Sequence, residues 1–367
     1  MTASPALEDP AACASAAGLR YIADTTPGIT RRKCGRGYAF FAPDGALVKD
    51  ERERHRLLAL AVPPAYTDVW YCPHADGHLQ ATGRDARGRK QYRYHPRWQT
   101  LRAHLKYDRL IDFARGLPRL RQWIGRTLSR GVFDADAVRA AAIRLIDETL
   151  MRIGNTGYEG IGATTLEQRH LQLGRARARF HYTGKSGIDR AVTITDKRIV
   201  KVLRKCVQLP GQHLFDWVDD DGHRHRLDSH DVNRTLAEHL GEGFTAKDFR
   251  TWGGTVVAAE LLATTPLPDT KTDREACIRD AVDAAAERLG NTRAVCRKHY
   301  VHPGVITRWE IEAIPEPPTA PIGLARGERL ALATLEAHRD ALLAGNQTES
   351  IFALVADEAL GALAPAA

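Results

Sequence analysis

The hydrophobic pattern of this chain changes once, near Pro96, and this change limits the folds that it can adopt. Over residues 19–95, short apolar runs alternate with turn residues such as Pro43-Asp44-Gly45, a pattern typical of β-strands. Over residues 101–120, apolar residues recur at roughly helical spacing, with Pro118 as an interruption. The sequence therefore predicts an α+β protein with a small β-rich N-terminal domain and a larger, mainly helical domain.

The domain boundaries follow from this pattern and from composition. We predict a loose, Ala-rich leader over residues 1–18, the β-rich domain over 19–97, the helical domain over 98–314 and a helical tail over 315–367. With 367 residues, the chain is long enough for two domains and a sizeable core.

Charge and cysteine content restrict the class of protein. The formal net charge of +8 and the pI of about 9.2 suit a polyanionic partner, but they also fit a basic soluble protein with no nucleic-acid role. The six cysteines include no CxxC pair, which argues against a structural zinc site. Without a signal-peptide pattern or a bilayer-spanning apolar stretch, the sequence predicts a cytoplasmic protein with reduced thiols and no membrane partner.

Two segments of the larger domain place basic residues at the ends of regular elements. Asp134 is a candidate N-cap of a helix that stops near Gly154, so Arg152 is expected at the helix end. Strand-like segments flank Thr183-Gly184-Lys185-Ser186-Gly187, which predicts a hairpin with Lys185 at its tip. Taken alone, an Arg at a helix end complements the helix dipole, and a Lys on a Gly-rich turn is simply solvated.

Three later segments add further polar residues. Residues 245–248 resemble a capping box, which places Arg250 in the first turns of a helix. A later helix is expected to end at Gly290, and Asn291 follows that stop directly. Tyr300 lies in a basic stretch, where packing at an interface would be its ordinary role. A last helix is predicted near residues 326–343.

In order and combined, these five segments resemble the poxvirus-like type IB DNA topoisomerases of bacteria. The run Gly88-Arg89-Lys90-Gln91-Tyr92-Arg93-Tyr94 is close to a signature of that family. The resemblance spans roughly residues 19–309 and leaves out the tail after Ile314. It implies the tyrosine recombinase/type IB topoisomerase fold, a clamp around duplex DNA, and relaxation of supercoils by a protein that acts as a monomer in the cytoplasm, associated with the nucleoid.

The resemblance also assigns roles to single residues. Tyr300 matches the nucleophile that forms a 3′-phosphotyrosyl intermediate, Arg152 and Arg250 match the two catalytic arginines, and Lys185 matches the hairpin lysine. The fifth catalytic position is usually histidine, but this chain has Asn291. Asparagine can donate a hydrogen bond but cannot carry charge, so its function survives only if that function is hydrogen bonding.

These residue types suit transesterification at phosphate. Guanidinium groups and an amide donor can stabilise the extra negative charge on the nonbridging oxygens, and a lysine can protonate the departing 5′ oxygen. No Walker-type loop is present, and Asp219-Asp220-Asp221-Gly222 is interpreted as a polar turn. We therefore expect no cofactor, and relaxation that needs neither ATP nor a metal ion.

The predicted DNA-binding residues lie in the N-terminal domain. Residues 90–94 are predicted as a strand on which Lys90, Tyr92 and Tyr94 share a face. Without the resemblance this would be an exposed aromatic strand edge; with it, the strand contacts DNA and Gln91 could read a base edge. Nearer the N-terminus, residues 38–41 and 46–48 are predicted to form a hairpin.

Two alternatives remain at this point. Tyrosine recombinases use closely similar chemistry, but they usually carry a His-x-x-Arg box where this chain has Lys247-Asp248-Phe249-Arg250. A catalytically inactive DNA-binding protein is the other alternative, and the departure at Asn291 is its support in the sequence. A metal site built from histidines is not favoured, because no His/Cys/carboxylate spacing accompanies the candidates His74, His78, His95, His299 and His302.

Overall fold

The computed structural model describes residues 9–35, 37–157, 160–319 and 323–344. These residues form two compact units, and the chain passes from the first to the second after Lys106. The first unit is rich in β-strands and the second, Tyr107–Ala341, is mainly helical. The predicted α+β class is therefore confirmed.

The first unit is built on one antiparallel sheet with strand order β2-β1-β3-β4-β5. A small core forms on it from Ile29, Phe40, Leu57, Tyr71 and Ala81. Its helices and strands are α1 (Pro10–Ala16), β1 (Ile29–Cys34), β2 (Gly37–Phe41), α2 (Glu51–Ala59), β3 (Thr67–Tyr71), β4 (Leu79–Arg84) and β5 (Lys90–Tyr94).

Two predictions for this unit are wrong in part. Residues 46–48 form no strand; Phe41 makes a single bridge to Leu47, and β2 pairs instead with β1. The leader is not loose over Pro10–Ala16, because Asp9 caps this helix by accepting a hydrogen bond from the Ala11 amide. The helix buries Cys13 and Ala14 in a cluster with Trp98 and Leu101. Residues 1–8 of the predicted leader lie outside the described residues.

The second unit has a helical core with two small sheets, one of order β6-β7-β8 and one of β9 and β10. Its elements begin with α3 (Pro96–Ser129), whose first turns belong to the first unit. The others are α4 (Ala135–Thr149), β6 (Leu171–Leu173), β7 (Ala178–Thr183), β8 (Asp189–Ile194), α5 (Lys197–Cys206), β9 (Asp216–Val218), β10 (Arg224–Arg226), α6 (Ser229–Leu240), α7 (Ala246–Ala263), α8 (Lys271–Leu289), α9 (Arg293–His299), α10 (Pro303–Glu310) and α11 (Arg326–Ala344).

Pro118 does not interrupt α3, contrary to the prediction. A proline inside a helix removes one hydrogen bond and costs about 3 kcal/mol. Its neighbours Leu117 and Leu120 are both fully buried in the core of the unit, and burying one such side chain stabilises by about 1.5–3 kcal/mol. Burial on both sides of the proline therefore outweighs the lost hydrogen bond.

The tail helix α11 is part of the same core. Leu332 and Leu335 are buried in it, and Glu328 accepts hydrogen bonds from Arg121 on α3 at 2.8 Å and from Trp252 Nε1 on α7 at 3.1 Å. The predicted helix near residues 326–343 is confirmed, and it packs on the helix that carries Arg250. Residues 345–367 of the predicted tail lie outside the described residues.

Candidate active site

Arg152 follows an unusual helix end. Helix α4 stops at Thr149, and Leu150 adopts the left-handed conformation, φ 55° and ψ 25°, in which glycine is the usual residue. Its side chain is buried and packs against α7 at Gly253, where an added Cβ would lie 2.3 Å from Leu150 Cδ1. The predicted helix end near Gly154 is therefore wrong. Arg152 lies in the constrained turn that follows α4, not in the last helical turn.

Arg250 lies on α7 and is 4% exposed. Its Nη1 donates to the Leu150 carbonyl, and its Nη2 donates to the Leu289 carbonyl at 2.9 Å, so this side chain ties the ends of α4 and α8 together. Its Nε is buried and has no hydrogen-bond partner among the described residues. Burial, and then the charge of Arg152, lower the pKa of Arg250, while Tyr300 acts in the opposite direction.

Asn291 follows a Schellman motif at the end of α8. Gly290 is left-handed at φ 59°, its amide donates to Glu287 O at 3.1 Å, and the Asn291 amide donates to Ala286 O at 3.0 Å. The Asn291 Oδ1 accepts a hydrogen bond from Arg152 Nη2. The loop therefore fixes the Asn291 side chain against the first arginine.

The other end of the Asn291 amide is buried and unused. Nδ2 makes no hydrogen bond of ordinary geometry within the described part of the chain. The neighbouring Cys296 thiol is a weak acceptor; burial raises the pKa of Cys296 to about 11, against the smaller effects of Arg250 and Asn291. A buried amide donor without a strong acceptor is costly, and at this position it is suited to a ligand oxygen.

Tyr300 is the residue directly after α9, and its amide donates to Cys296 O at 2.8 Å. The Arg250 guanidinium carbon lies 5.2 Å from the centre of its ring. Its carbonyl accepts from Thr255 Oγ1 at 3.4 Å, and a Cβ at Gly254 would lie 2.7 Å from the same carbonyl oxygen. Helix α7 thus holds both Arg250 and the main chain of Tyr300.

Lys185 lies at the tip of the β7–β8 hairpin, as predicted, in a short turn over Lys185–Gly187. Its side chain is exposed. The hairpin is anchored at this end because the Ile161 amide donates to Thr183 O at 3.0 Å. Lys185 shares one pocket with both arginines; the pocket is lined by Leu150, Met151, Arg152, Ile161, Tyr182, Gly184, Lys185, Ile188, Arg190, Arg250, Leu289 and Gly290.

Four of the five predicted catalytic residues form two contacting pairs, and three of the five, Arg152, Lys185 and Arg250, line one pocket. Arg152 contacts Asn291, Arg250 faces Tyr300, and Lys185 lines the same pocket. Sequence reasoning missed Arg190, which also lines it. Nothing in the local sequence of β8 distinguishes this arginine from a solvated strand residue.

The predicted DNA-binding residues lie on β5 in the first unit. Lys90, Tyr92 and Tyr94 share a face as predicted: the two tyrosine rings stack with centres 6.0 Å apart, and Lys90 Nζ is 5.7 Å from the Tyr92 ring. Lys90 also pairs with Asp24 at 2.5 Å. Gln91 Nε2 donates to Asp85 at 3.0 Å, so reading a base would require this bond to open.

The polar turn predicted at residues 219–222 is confirmed. Asp219 Oδ1 accepts from the Asp221 and His223 amides. The ligand-type atoms of Asp219, Asp221 and His223 lie within 4.8 Å of one another, but these side chains do not line the pocket above. Among the described helices, none is long and apolar enough to cross a membrane.

Comparison with known proteins agrees with the geometry. A family model for the catalytic core of eukaryotic DNA topoisomerase I matches residues 95–314, more than half of the chain, and one for the N-terminal domain of bacterial DNA topoisomerase IB matches residues 37–85. DNA topoisomerase 1B of Acanthamoeba polyphaga mimivirus is 28% identical over 285 residues, which cover 75% of this chain and 85% of that protein.

Two solved structures of the site-specific recombinase XerH bound to its difH substrate, before and after cleavage, also align. Each covers 50% of this chain at 17% identity with a TM-score of 0.33. The chain spans about half the length of these recombinases, 47% and 49%. A likeness this distant carries no argument about the site.

Proposed function

This chain belongs to the type IB DNA topoisomerase family and is a type I DNA topoisomerase, and we propose that it relaxes supercoiled duplex DNA through a covalent bond to Tyr300. The observation that carries the proposal is the contact network at the pocket. Arg250 faces the Tyr300 ring, and Arg152 bonds to Asn291. A phosphate in the pocket would meet both guanidinium groups, each of which contacts a further predicted catalytic side chain, the Asn291 amide or the Tyr300 phenol.

The proposed cleavage step is a transesterification. Tyr300 loses its proton to bulk water and its Oη bonds to the phosphorus, while the bond from phosphorus to the 5′ oxygen breaks. Lys185 gives a proton to that oxygen. The products are a 3′-phosphotyrosine and a free 5′-hydroxyl, and the other strand stays intact. Swivelling of the free end releases supercoils, and the reverse reaction reseals the strand.

Charge in the transition state is stabilised by groups that are already oriented. Arg250 is fixed by two main-chain carbonyls, and Arg152 is fixed by Asn291. The Asn291 Nδ2 and the Arg250 Nε are buried donors that make no hydrogen bond of ordinary geometry within the described residues. Preorganised donors of this kind stabilise a developing oxyanion at little reorganisation cost. One phosphoester replaces another, so we expect no requirement for ATP or for a metal ion.

Contact with duplex DNA in the first unit is assigned to Lys90, Gln91, Tyr92 and Tyr94. Two of these side chains are large and exposed, Tyr92 at 48% and Tyr94 at 36%, and aromatic groups next to a lysine suit a nucleic-acid surface. The closed clamp around DNA, action as a monomer and association with the nucleoid are parts of the same proposal.

Plasmid relaxation in the presence of a chelator and without nucleotide tests this function. We expect the wild-type protein to relax negatively supercoiled plasmid under these conditions. Tyr300→Phe should be inactive yet still bind duplex DNA, because only the nucleophilic oxygen is lost. Tyr38→Phe, which removes one exposed hydrogen bond to Pro64, is the matched control and should relax plasmid normally.

The same assay separates the alternatives. An absolute need for Mg²⁺ or ATP would point to another enzyme class, and an active Tyr300→Phe would overturn the nucleophile assignment. Binding by the wild-type protein without any relaxation would favour an inactive DNA-binding protein. Strand exchange between two duplexes, with no relaxation by a monomer, would favour a recombinase.

A further inference from the structure

The carbonyls at the end of α8 are shared between two arginines. A helix leaves its last carbonyls without helical partners. At this end, the Schellman motif satisfies Ala286 and Glu287 through the Gly290 and Asn291 amides. The next carbonyl, Arg288 O, accepts from Arg190 Nη2 at 3.1 Å, and the last, Leu289 O, accepts from Arg250.

Arg190 fits closely on this turn. Its Nη1 also approaches Glu287 O at 3.4 Å, so the guanidinium spans two consecutive carbonyls. A Cβ on Gly290 would lie 2.7 Å from Arg190 Nη1, so a side chain there would displace the guanidinium from the turn. A cation at a helix C-terminus is favourable because it opposes the helix dipole.

The other end of Arg190 belongs to the hairpin that carries Lys185. Arg190 is near the start of β8, directly opposite Tyr182 on β7. Burial raises the pKa of the Tyr182 hydroxyl, and the nearby Arg190 charge acts in the opposite direction. Only Ile188 and Asp189 separate Arg190 from Gly187, the end of the turn at the tip. Arg190 therefore joins the hairpin to the turn that presents Asn291.

We propose that Arg190 is a positioning residue that docks the Lys185 hairpin on the C-terminal turn of α8 and so holds the general acid at the leaving oxygen. This inference rests on the proposed function, in which Lys185 is that acid. Arg190 itself is occupied by main-chain carbonyls and acts through Lys185. Lysine cannot replace it fully, because one ammonium group lacks the planar fork that reaches two consecutive carbonyls together.

The test is single-turnover cleavage of two duplexes that differ in one atom, oxygen or sulfur at the 5′ bridging position. A bridging sulfur leaves without protonation. Variants in which the acid is missing or misplaced should therefore regain a near wild-type cleavage rate on the sulfur duplex. We expect the cleavage rate of Arg190→Ala on the oxygen duplex to fall on the order of 10²-fold, as for a misplaced catalytic group. On the sulfur duplex, most of that loss should disappear. Arg190→Lys should fall between Arg190→Ala and wild type on oxygen.

Arg179→Ala is the matched control, because Arg179 lies on the outer face of the same hairpin and is exposed. It removes the same charge and should cleave both duplexes at the wild-type rate once DNA is saturating. Lys185→Ala is the reference for a lost acid and should recover on sulfur. Thermal unfolding of each variant checks that the fold is kept.

Equal slowing of Arg190→Ala on both duplexes would overturn the inference. Arg190 would then affect the position of Asn291 and Arg250, or the stability of the fold, and not the acid. Wild-type cleavage of the oxygen duplex by Arg190→Ala would also overturn it. Failure of the wild-type protein to cleave either duplex contradicts the proposed function instead. If the cleavage rate of Lys185→Ala is restored on the sulfur duplex and that of Arg190→Ala is not, only the proposed role of Arg190 is wrong.

Discussion

Asn291 is the residue at which this chain departs from the pattern of the family it resembles. Its side chain accepts from Arg152 and leaves Nδ2 buried with no strong acceptor. Accepting from Arg152 and offering a buried donor both require a hydrogen-bonding side chain at this position, and neither requires a charged one. Under the proposed function, asparagine is a donor to a nonbridging phosphate oxygen, and proton transfer is the role of Lys185.

Substitution at this position separates the two roles. Asn291→His should keep substantial activity, because an imidazole can still donate one hydrogen bond. The cleavage rate of Asn291→Ala should be lower on the order of 10²-fold, which is the usual effect of losing one such hydrogen-bond donor. Single-turnover cleavage of a duplex measures both. If Asn291→Ala cleaves as fast as wild type, Asn291 does not contact the reacting phosphate.

Residue types were predictable from the sequence, but their contacts were not. The order Arg152, Lys185, Arg250, Asn291, Tyr300 is visible in the printed chain. The bond between Arg152 and Asn291 joins residues 139 positions apart, so only the folded chain reveals it. Arg190 was missed for the same reason, since its partners lie on α8, 97 and 98 residues away.

At the scale of elements, α7 organises the site. Arg250 lies in its second turn, and the next turn brings Gly253 against Leu150 and Gly254 against the main chain of Tyr300. Thr255 then accepts from the His302 amide at 3.1 Å. One helix thus fixes the distance between an arginine and the nucleophile, and its two glycines permit the close approach.

A methyl group at Gly254 tests this arrangement. Its Cβ would lie 2.7 Å from Tyr300 O, so Gly254→Ala must displace the nucleophile segment and should slow cleavage by roughly 10²-fold with little change in DNA binding. Gly125→Ala on α3 is the control, since its Cβ would meet only Arg198 Nη1 at 3.6 Å. That control should be active and more stable by about 0.5–1 kcal/mol. Normal cleavage by Gly254→Ala would show that the main chain at Tyr300 can shift without loss of activity.

Three helix ends were predictable from local chemistry. Asp134 and Thr245 begin their helices and Gly290 ends another, as side-chain caps and left-handed glycine require. Two features contradicted local preference: α3 continues through Pro118, and Leu150 occupies a left-handed position. In both cases buried packing decides, through Leu117 and Leu120 around the proline and through Gly253 against Leu150.

At the scale of the whole molecule, the change of pattern at Pro96 predicted an α+β chain, and the structure agrees. The place where one compact unit gives way to the next, after Lys106, has no mark in the sequence, because it falls inside a continuous helix. The tail also gave little indication of its packing. Helix α11 lies beyond the matched residues 95–314, yet Glu328 joins it to Arg121 and Trp252 in the core.

The central claim is that Tyr300 forms the covalent bond to DNA, and mapping the adduct tests it most directly. A duplex whose short downstream fragment, the one with the free 5′-hydroxyl, dissociates after cleavage would trap the intermediate. Mass spectrometry of the digested complex would then locate the attached nucleotide. The account predicts a 3′-phosphate on the peptide that contains Tyr300, and no adduct with Tyr300→Phe. An adduct on another residue, or a 5′-phosphate linkage, would contradict it.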